Sequence, residues 1–333
     1  MSTIPDPSRL PVPEQYRRLV DDAAIFPPGD APLPRAVSEH REHLARAYAG
    51  LVGAFVISDI RLPELIEVLR SDQSPAVEPV EPLSVNVVVT GGAGAIEPAA
   101  RWVNAAEQLD LSCIEIALRD EADLAHNARR MVTAVDQLVA AGHLEDEVTV
   151  YVEPPRLFDQ PPSHSWLATL DEVATMDLRL KFRTGGVSAD AFPSAGELAT
   201  CIEAALDREL RFKCTAGLHN ALRHRDDDTG FEHHGFLNVL LATRASLDGA
   251  TPEEVAALLD QSGRAAVTQR LGETGADLLV SARRWFTSFG SCSVLEPLED
   301  LLDLDLLPDT VTPRDRSLRS RSRWGPDISR DFA

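Results

Sequence analysis

Two short stretches carry the only lysines in the chain. Lys181 lies in LKFRTGG (180–186) and Lys213 in FKCTAGL (212–218), while the other 30 basic residues are arginine. Arginine pairs with anions as well as lysine does, but it keeps its proton. Lysines retained against such a bias point to a need for a free amine. An uncharged amine attacks a carbonyl and forms a Schiff base, an electron sink for breaking or making a carbon–carbon bond. At the ordinary lysine pKa of about 10.4, only about 0.04% is neutral at pH 7. A second positive charge about 5 Å away supplies about 3.3 kcal/mol towards neutrality at an effective dielectric of about 20, and burial adds to it. Two lysines at matching places on adjacent strands can therefore activate one another. The plainer readings are two point charges that hold phosphate, or chance survival.

The elements that must position them are short apolar runs separated by segments of helical period. Candidate strands are 21–28, 51–57, 83–89, 111–118, 148–153, 178–185, 210–217 and 285–292. Runs this apolar suit strands covered on both faces, as in parallel sheets. Helical segments follow the first, third, fourth and sixth; the fourth-strand helix ends at Gly142, a plausible C-terminal cap. Eight such units at roughly 30 residues each predict an α/β fold, a (β/α)₈ TIM barrel, with a doubly wound open sheet as the competitor. One domain over 1–307 is expected, with a loop and helical insertion at about 219–284 before the eighth strand. The Pro-, Ser- and Arg-rich segment 308–333 reads as a tail.

Strand side chains alternate between faces. With the aliphatic positions turned to the helices, Asn86, Glu115, Glu153, Lys181, Arg183, Lys213 and Thr215 point into the barrel. Most lie towards the C-terminal ends of their strands, where barrel enzymes do chemistry. A purely structural ion network is the alternative, although burying one is a weak source of stability.

The net charge of −21 argues against nucleic acid or an anionic membrane as partner. The start of the chain lacks the pattern of a secretion signal, and no run of 18 apolar residues occurs. The four cysteines form no CxxC pair. A cytoplasmic protein with free thiols is expected, with a small carbonyl or phosphorylated molecule as its partner and homo-oligomers allowed.

LKFRTGGV resembles the sixth-strand motif K-T-S-T-G-F of the deoxyribose-phosphate aldolases, and FKCTAGLHN is similar to their seventh-strand K-A-S-G-G-I-R. LVDDAAIFPP is similar to their first-strand L-I-D-H-T-L-L-K-P, VTVYVEPPRL to their fifth strand, and FGSCSVLEPLEDL to their last, R-I-G-T-S-S. The matches run in chain order over about 20–305. The resemblance implies a class I aldolase-like lyase. Lys181 would be its Schiff-base residue, Lys213 the partner that lowers the pKa, and Glu115 the proton relay. Glu153 would hold the cations or orient water. Gly185, Gly186, Gly217 and the Gly290–Ser293 loop would cradle phosphate. Asn86, Asp22, Arg183, Thr184, Thr215, His219, Ser291 and Ser293 complete the expected substrate site. Glu115 stands where the family has aspartate, Arg183 where it has a small residue, and His219 where it has arginine, so the substrate is expected to differ. No metal or organic cofactor is required.

Two other functions compete. His219, His224, His233 and His234, with Asp226, Asp227, Asp228 and Glu232, include ordinary metal ligands; a metal-dependent hydrolase or isomerase would use this 219–234 cluster. A non-catalytic anion-binding barrel is the other. GGAG (91–94) reads as a turn, and the cysteines as packed core thiols.

Overall fold

The computed structural model of the chain describes residues 12–71, 81–119, 123–145, 148–308 and 311. Eight parallel strands close into a barrel: β1 (Val20–Asp22), β2 (Val52–Ser58), β3 (Leu83–Val89), β4 (Leu109–Ala117), β5 (Thr149–Glu153), β6 (Arg179–Arg183), β7 (Phe212–Thr215) and, after a small hairpin of β8 (His224–Arg225) with β9 (Glu232–His233), β10 (Phe286–Ser291). The strands lie in chain order round the barrel, and β10 pairs with both β7 and β1.

Helices α1 (Leu33–Leu44), α2 (Leu62–Ser71), α3 (Ile96–Asn104), α4 (Leu124–Ala140), α5 (His164–Ala174) and α6 (Ala195–Leu206) follow the first six strands. The seventh unit carries α7 (Phe236–Leu247) and three more helices, α8 (Pro252–Leu259), α9 (Arg264–Thr274) and α10 (Ala276–Arg283); α11 (Leu295–Asp303) follows β10. This is the (β/α)₈ TIM barrel expected, with its added helices between β7 and β10. Among the described residues no helix is long and apolar enough to cross a membrane. The expected tail lies, apart from Pro308 and Val311, outside the described residues.

Local chemistry explains the helix boundaries. Asp123, Ser163 and Ser194 accept the backbone N–H three residues on and so cap α4, α5 and α6. Thr251 and Glu254 form a reciprocal capping box on α8. Gly142 takes a left-handed φ of 68° just beyond α4, and its N–H and that of His143 satisfy the carbonyls of Val139 and Leu138.

The aliphatic strand residues face the helices. Val85, Val87, Ile114, Ile116, Val150, Val152 and Leu180 are all buried there. That leaves the interior to the polar alternates. The lower interior is polar as well: Tyr151 Oη lies 2.9 Å from Thr287 Oγ1 and accepts from Arg179 at 3.1 Å.

The first candidate run, 21–28, delivers only two residues to the sheet. Its remainder turns at once: Asp22 Oδ1 accepts the Ala24 N–H and Ala23 O accepts that of Phe26, while Pro27 and Pro28 have no N–H for a ladder.

Candidate active site

Lys181 on β6 and Lys213 on β7 are register partners on adjacent strands. Glu115 on β4 joins them. Lys213 Nζ donates to its Oε1 at 2.6 Å and Lys181 Nζ to its Oε2 at 3.2 Å. Lys213 also donates to Asp21 Oδ2 at 2.5 Å, and Ser288 Oγ donates to the same oxygen at 2.8 Å. Lys181 Nζ lies 2.8 Å from Glu153 Oε2, and Arg183 Nε donates to Glu153 Oε1 at 2.8 Å. A continuous chain therefore runs Asp21–Lys213–Glu115–Lys181–Glu153–Arg183. It alternates in sign, with three carboxylates against three cations.

Both lysines are almost sealed, Lys181 at 3% exposure and Lys213 at 1%. Burial disfavours their charge, but Glu153 and Glu115 outweigh it at Lys181 and raise its pKa. Asp21 and Glu115 do the same at Lys213 and raise it well above the ordinary value. Burial likewise opposes charge on Glu115, yet the two ammonium groups hold it down at about 2. Glu153 is lowered by Lys181 and Arg183 against the same penalty. The expectation that one lysine depresses the other is corrected here. The intervening carboxylate screens their repulsion, and both remain ammonium in the resting protein.

Two buried oxygens in the site have no hydrogen-bond donor: Asn86 Oδ1 and Glu153 Oε2. The Lys181 contact with Glu153 Oε2 is an ion pair by distance whose angle misses a hydrogen bond. Tyr151 flanks the cluster, with its ring centroid 5.3 Å from Lys213 Nζ.

Asp22, expected among the substrate-binding residues, faces the other way. Its Oδ2 lies 2.9 Å from Nδ1 of buried His40 on α1, in the helix layer. Asp21 takes the interior place. The missed signal was available: setting LVD over L-I-D in the first-strand resemblance marks residue 21. Gly53 on β2 makes room for it, because a Cβ there would come within 2.1 Å of Asp21 Oδ1.

Thr184 is also corrected. It is fully buried, and its Oγ1 donates to the carbonyls of Thr215 and Ala216, tying the loop after β6 to that after β7. Gly185 and Gly217 complete this junction. Gly217 has φ 75°, and a Cβ on it would lie 2.7 Å from Thr184 O; one on Gly185 would lie 2.8 Å from Gly217 Cα. Their absence of side chains serves close packing of two loops. Gly186 lies beside Ala191, whose Cβ a side chain there would reach at 2.7 Å. Gly290 differs: a Cβ there would meet only Thr215 Oγ1 at 3.8 Å and Ala23 Cβ at 4.0 Å, so the interior is open at that point.

In the loop after β10 the hydroxyls satisfy the loop itself. Ser291 Oγ donates to Ser293 O at 2.7 Å, and Ser293 Oγ accepts the Glu296 N–H at 3.2 Å. His219 reaches this loop, with Nδ1 3.2 Å from Ser291 Oγ and 3.3 Å from Glu296 Oε2. The Glu296 carboxylate therefore stands beside His219 at this loop.

The histidines of 219–234 do not converge. His219 turns to the β10 loop, and His224 and His233 face each other across the hairpin with rings 5.1 Å apart. His234 is buried, donating from Nε2 to Pro193 O at 2.9 Å and accepting at Nδ1 from Arg223 at 3.3 Å. Among the described residues, no group of three or more His, Cys, Asp or Glu side chains is placed to hold one metal ion. No protein-family model matches the chain, and no curated protein matches it.

Proposed function

We propose that the protein is a class I aldolase-like lyase in which Lys181 forms a Schiff base with a small carbonyl substrate. The observation that carries this reading is the placement of the two lysines at matched register on β6 and β7, bridged by the two oxygens of Glu115. The resemblance of both lysine motifs to those of deoxyribose-phosphate aldolases supports it.

Attack requires neutral Lys181. Its proton passes to Glu115 Oε2, 3.2 Å away, and Glu115 holds it while the amine reacts; Lys213 stays charged and donates to the other oxygen, fixing the carboxyl in place. The amine then adds to the carbonyl carbon, and loss of water leaves the iminium. Glu115 returns its proton to the departing hydroxyl as water leaves, and its carboxylate is then placed to remove a proton as the carbon–carbon bond breaks. The open position at Gly290, beside Thr215, lies on the Lys213 side of the interior.

Borohydride reduction in the presence of small aldehydes and ketones tests the proposal by peptide mass spectrometry. A stable adduct on Lys181, absent in Lys181→Met, is the expected result. A broad panel that leaves Lys181 unmodified at pH 7 and at pH 9 would sink it.

The alternating charges and the near-complete burial of the two lysines and three carboxylates, with Arg183 exposed at the end of the chain, favour a second reading, a structural ion core with no chemistry. In that case Lys181→Met lowers stability, and no carbonyl compound labels the wild-type protein.

A further inference from the structure

Cys292, His219 and Glu296 form a constellation that the lysine chemistry does not use. Cys292 directly follows β10, and its Sγ lies against the His219 ring, 3.6 Å from Nδ1 and 3.9 Å from Nε2. Glu296 Oε2 and Ser291 Oγ both approach Nδ1, at 3.3 and 3.2 Å. Ser291 already donates to Ser293 O, so it accepts from the ring. Nδ1–H is thereby held, and the sulfur lies against the ring within 4 Å of both nitrogens, so a small rotation of the thiol side chain brings it to Nε2. Such a chain of carboxylate, imidazole and thiol is the arrangement that activates a nucleophile.

The surroundings fit that role. Cys113, Cys201 and Cys214 are buried, whereas Cys292 is partly exposed at the C-terminal end of the barrel. Burial opposes charge on His219, but Cys292 and Glu296 raise its pKa to about 9, so the ring readily takes up the thiol proton and can then return it as an acid. His233 lies near enough to feel that charge. A Cβ on Gly29 would come within 2.9 Å of the Cys292 Cβ, so the loop after β1 packs against one side of this residue. The Glu296 carboxylate disfavours an anion here.

We propose that Cys292 and His219 form a thiol nucleophile–acid pair that adds reversibly to small uncharged aldehydes at the barrel mouth. The thiol proton passes to His219. The sulfur lone pair then forms a bond to the carbonyl carbon, the C=O π pair moves to oxygen, and the His219 proton goes to that oxygen. The product is a hemithioacetal, formed from thiol and aldehyde alone with no change in oxidation state. The reverse sequence releases both. Lys181 takes no part.

The test is alkylation by iodoacetamide, followed cysteine by cysteine in the folded protein by peptide mass spectrometry. Cys292 is expected to react while the three buried thiols stay protected. Propanal at ten times its half-protecting concentration should slow this about tenfold, reversibly on gel filtration. His219→Gln should lower the alkylation rate at pH 7 about tenfold and remove the protection. Lys181→Met should keep the protection, which separates this site from the Schiff-base reading. Wild-type Cys292 that alkylates no faster than N-acetylcysteine, or that propanal leaves unprotected, would overturn the proposal without need of any variant.

Discussion

Glu115 can hold two ammonium groups because each of its oxygens faces a different strand. Removing one partner from such a cluster strands buried charge, which costs about 3–5 kcal/mol. Lys213→Met leaves Asp21 and Glu115 facing each other without their cation, and a loss of that size is expected in urea unfolding. A loss below about 1 kcal/mol would mean that the cluster is wet or loosely held. Glu115→Gln should lower the rate of Schiff-base trapping about a hundredfold, as for loss of a positioned proton carrier. Because Lys181 is held charged, its reactive fraction is small at pH 7, and trapping should rise about tenfold per pH unit from 7 to 9. Alternation along the strands made Asn86, Glu115, Glu153, Lys181 and Lys213 legible as interior residues. Their protonation was not legible. It depends on Asp21 and on which charges lie between the lysines, and spacing in one dimension does not report that.

Seven of the eight barrel strands coincide with apolar runs to within two or three residues, since their alternate, helix-facing positions are aliphatic or aromatic. β1 was overestimated because apolar residues continue into the turn before Pro27. The glycines of the β6 and β7 loops looked like a phosphate cradle. The structure shows that Gly185 and Gly217 allow a backbone junction closed by Thr184, a role that a pattern of glycines does not reveal. Gly217→Ala combines a left-handed φ with a Cβ 2.7 Å from Thr184 O, and it should cost more than about 1 kcal/mol. Gly290→Ala meets nothing closer than 3.8 Å and should fold normally. Thermal unfolding of the two variants checks the contrast, and equal stability would refute the junction.

Across the whole molecule, buried His234 and partly buried His219 pull stability in opposite directions with pH. Burial and Arg223 lower His234 to about 4, so its contribution is present above about 6.5 and is lost as pH falls towards 4. His219 is raised to about 9 against its burial by Cys292 and Glu296. Its contribution is present below about 6.5 and is lost as pH rises through 9. Glu115, held at about 2 against its burial by Lys213 and Lys181, adds stability present above about 4.5 and lost as pH falls through 2. Each is worth about 3 kcal/mol at its full extent. Stability should therefore peak near pH 6.5, and His234→Gln should flatten the limb between 6.5 and 4. An unchanged limb in that variant would contradict the buried neutral ring.

The chain's composition also supplies the most direct test of the bridged pair. With only two lysines, a protein labelled with [13Cε]lysine gives two resonances, each assigned by the loss of one in Lys181→Met or Lys213→Met. Both are expected at ammonium positions at pH 7, with neither titrating below the ordinary lysine value of about 10.4. A resonance from either lysine that titrates near neutrality would show that the two amines repel one another without Glu115 between them, and the arrangement described here would be wrong.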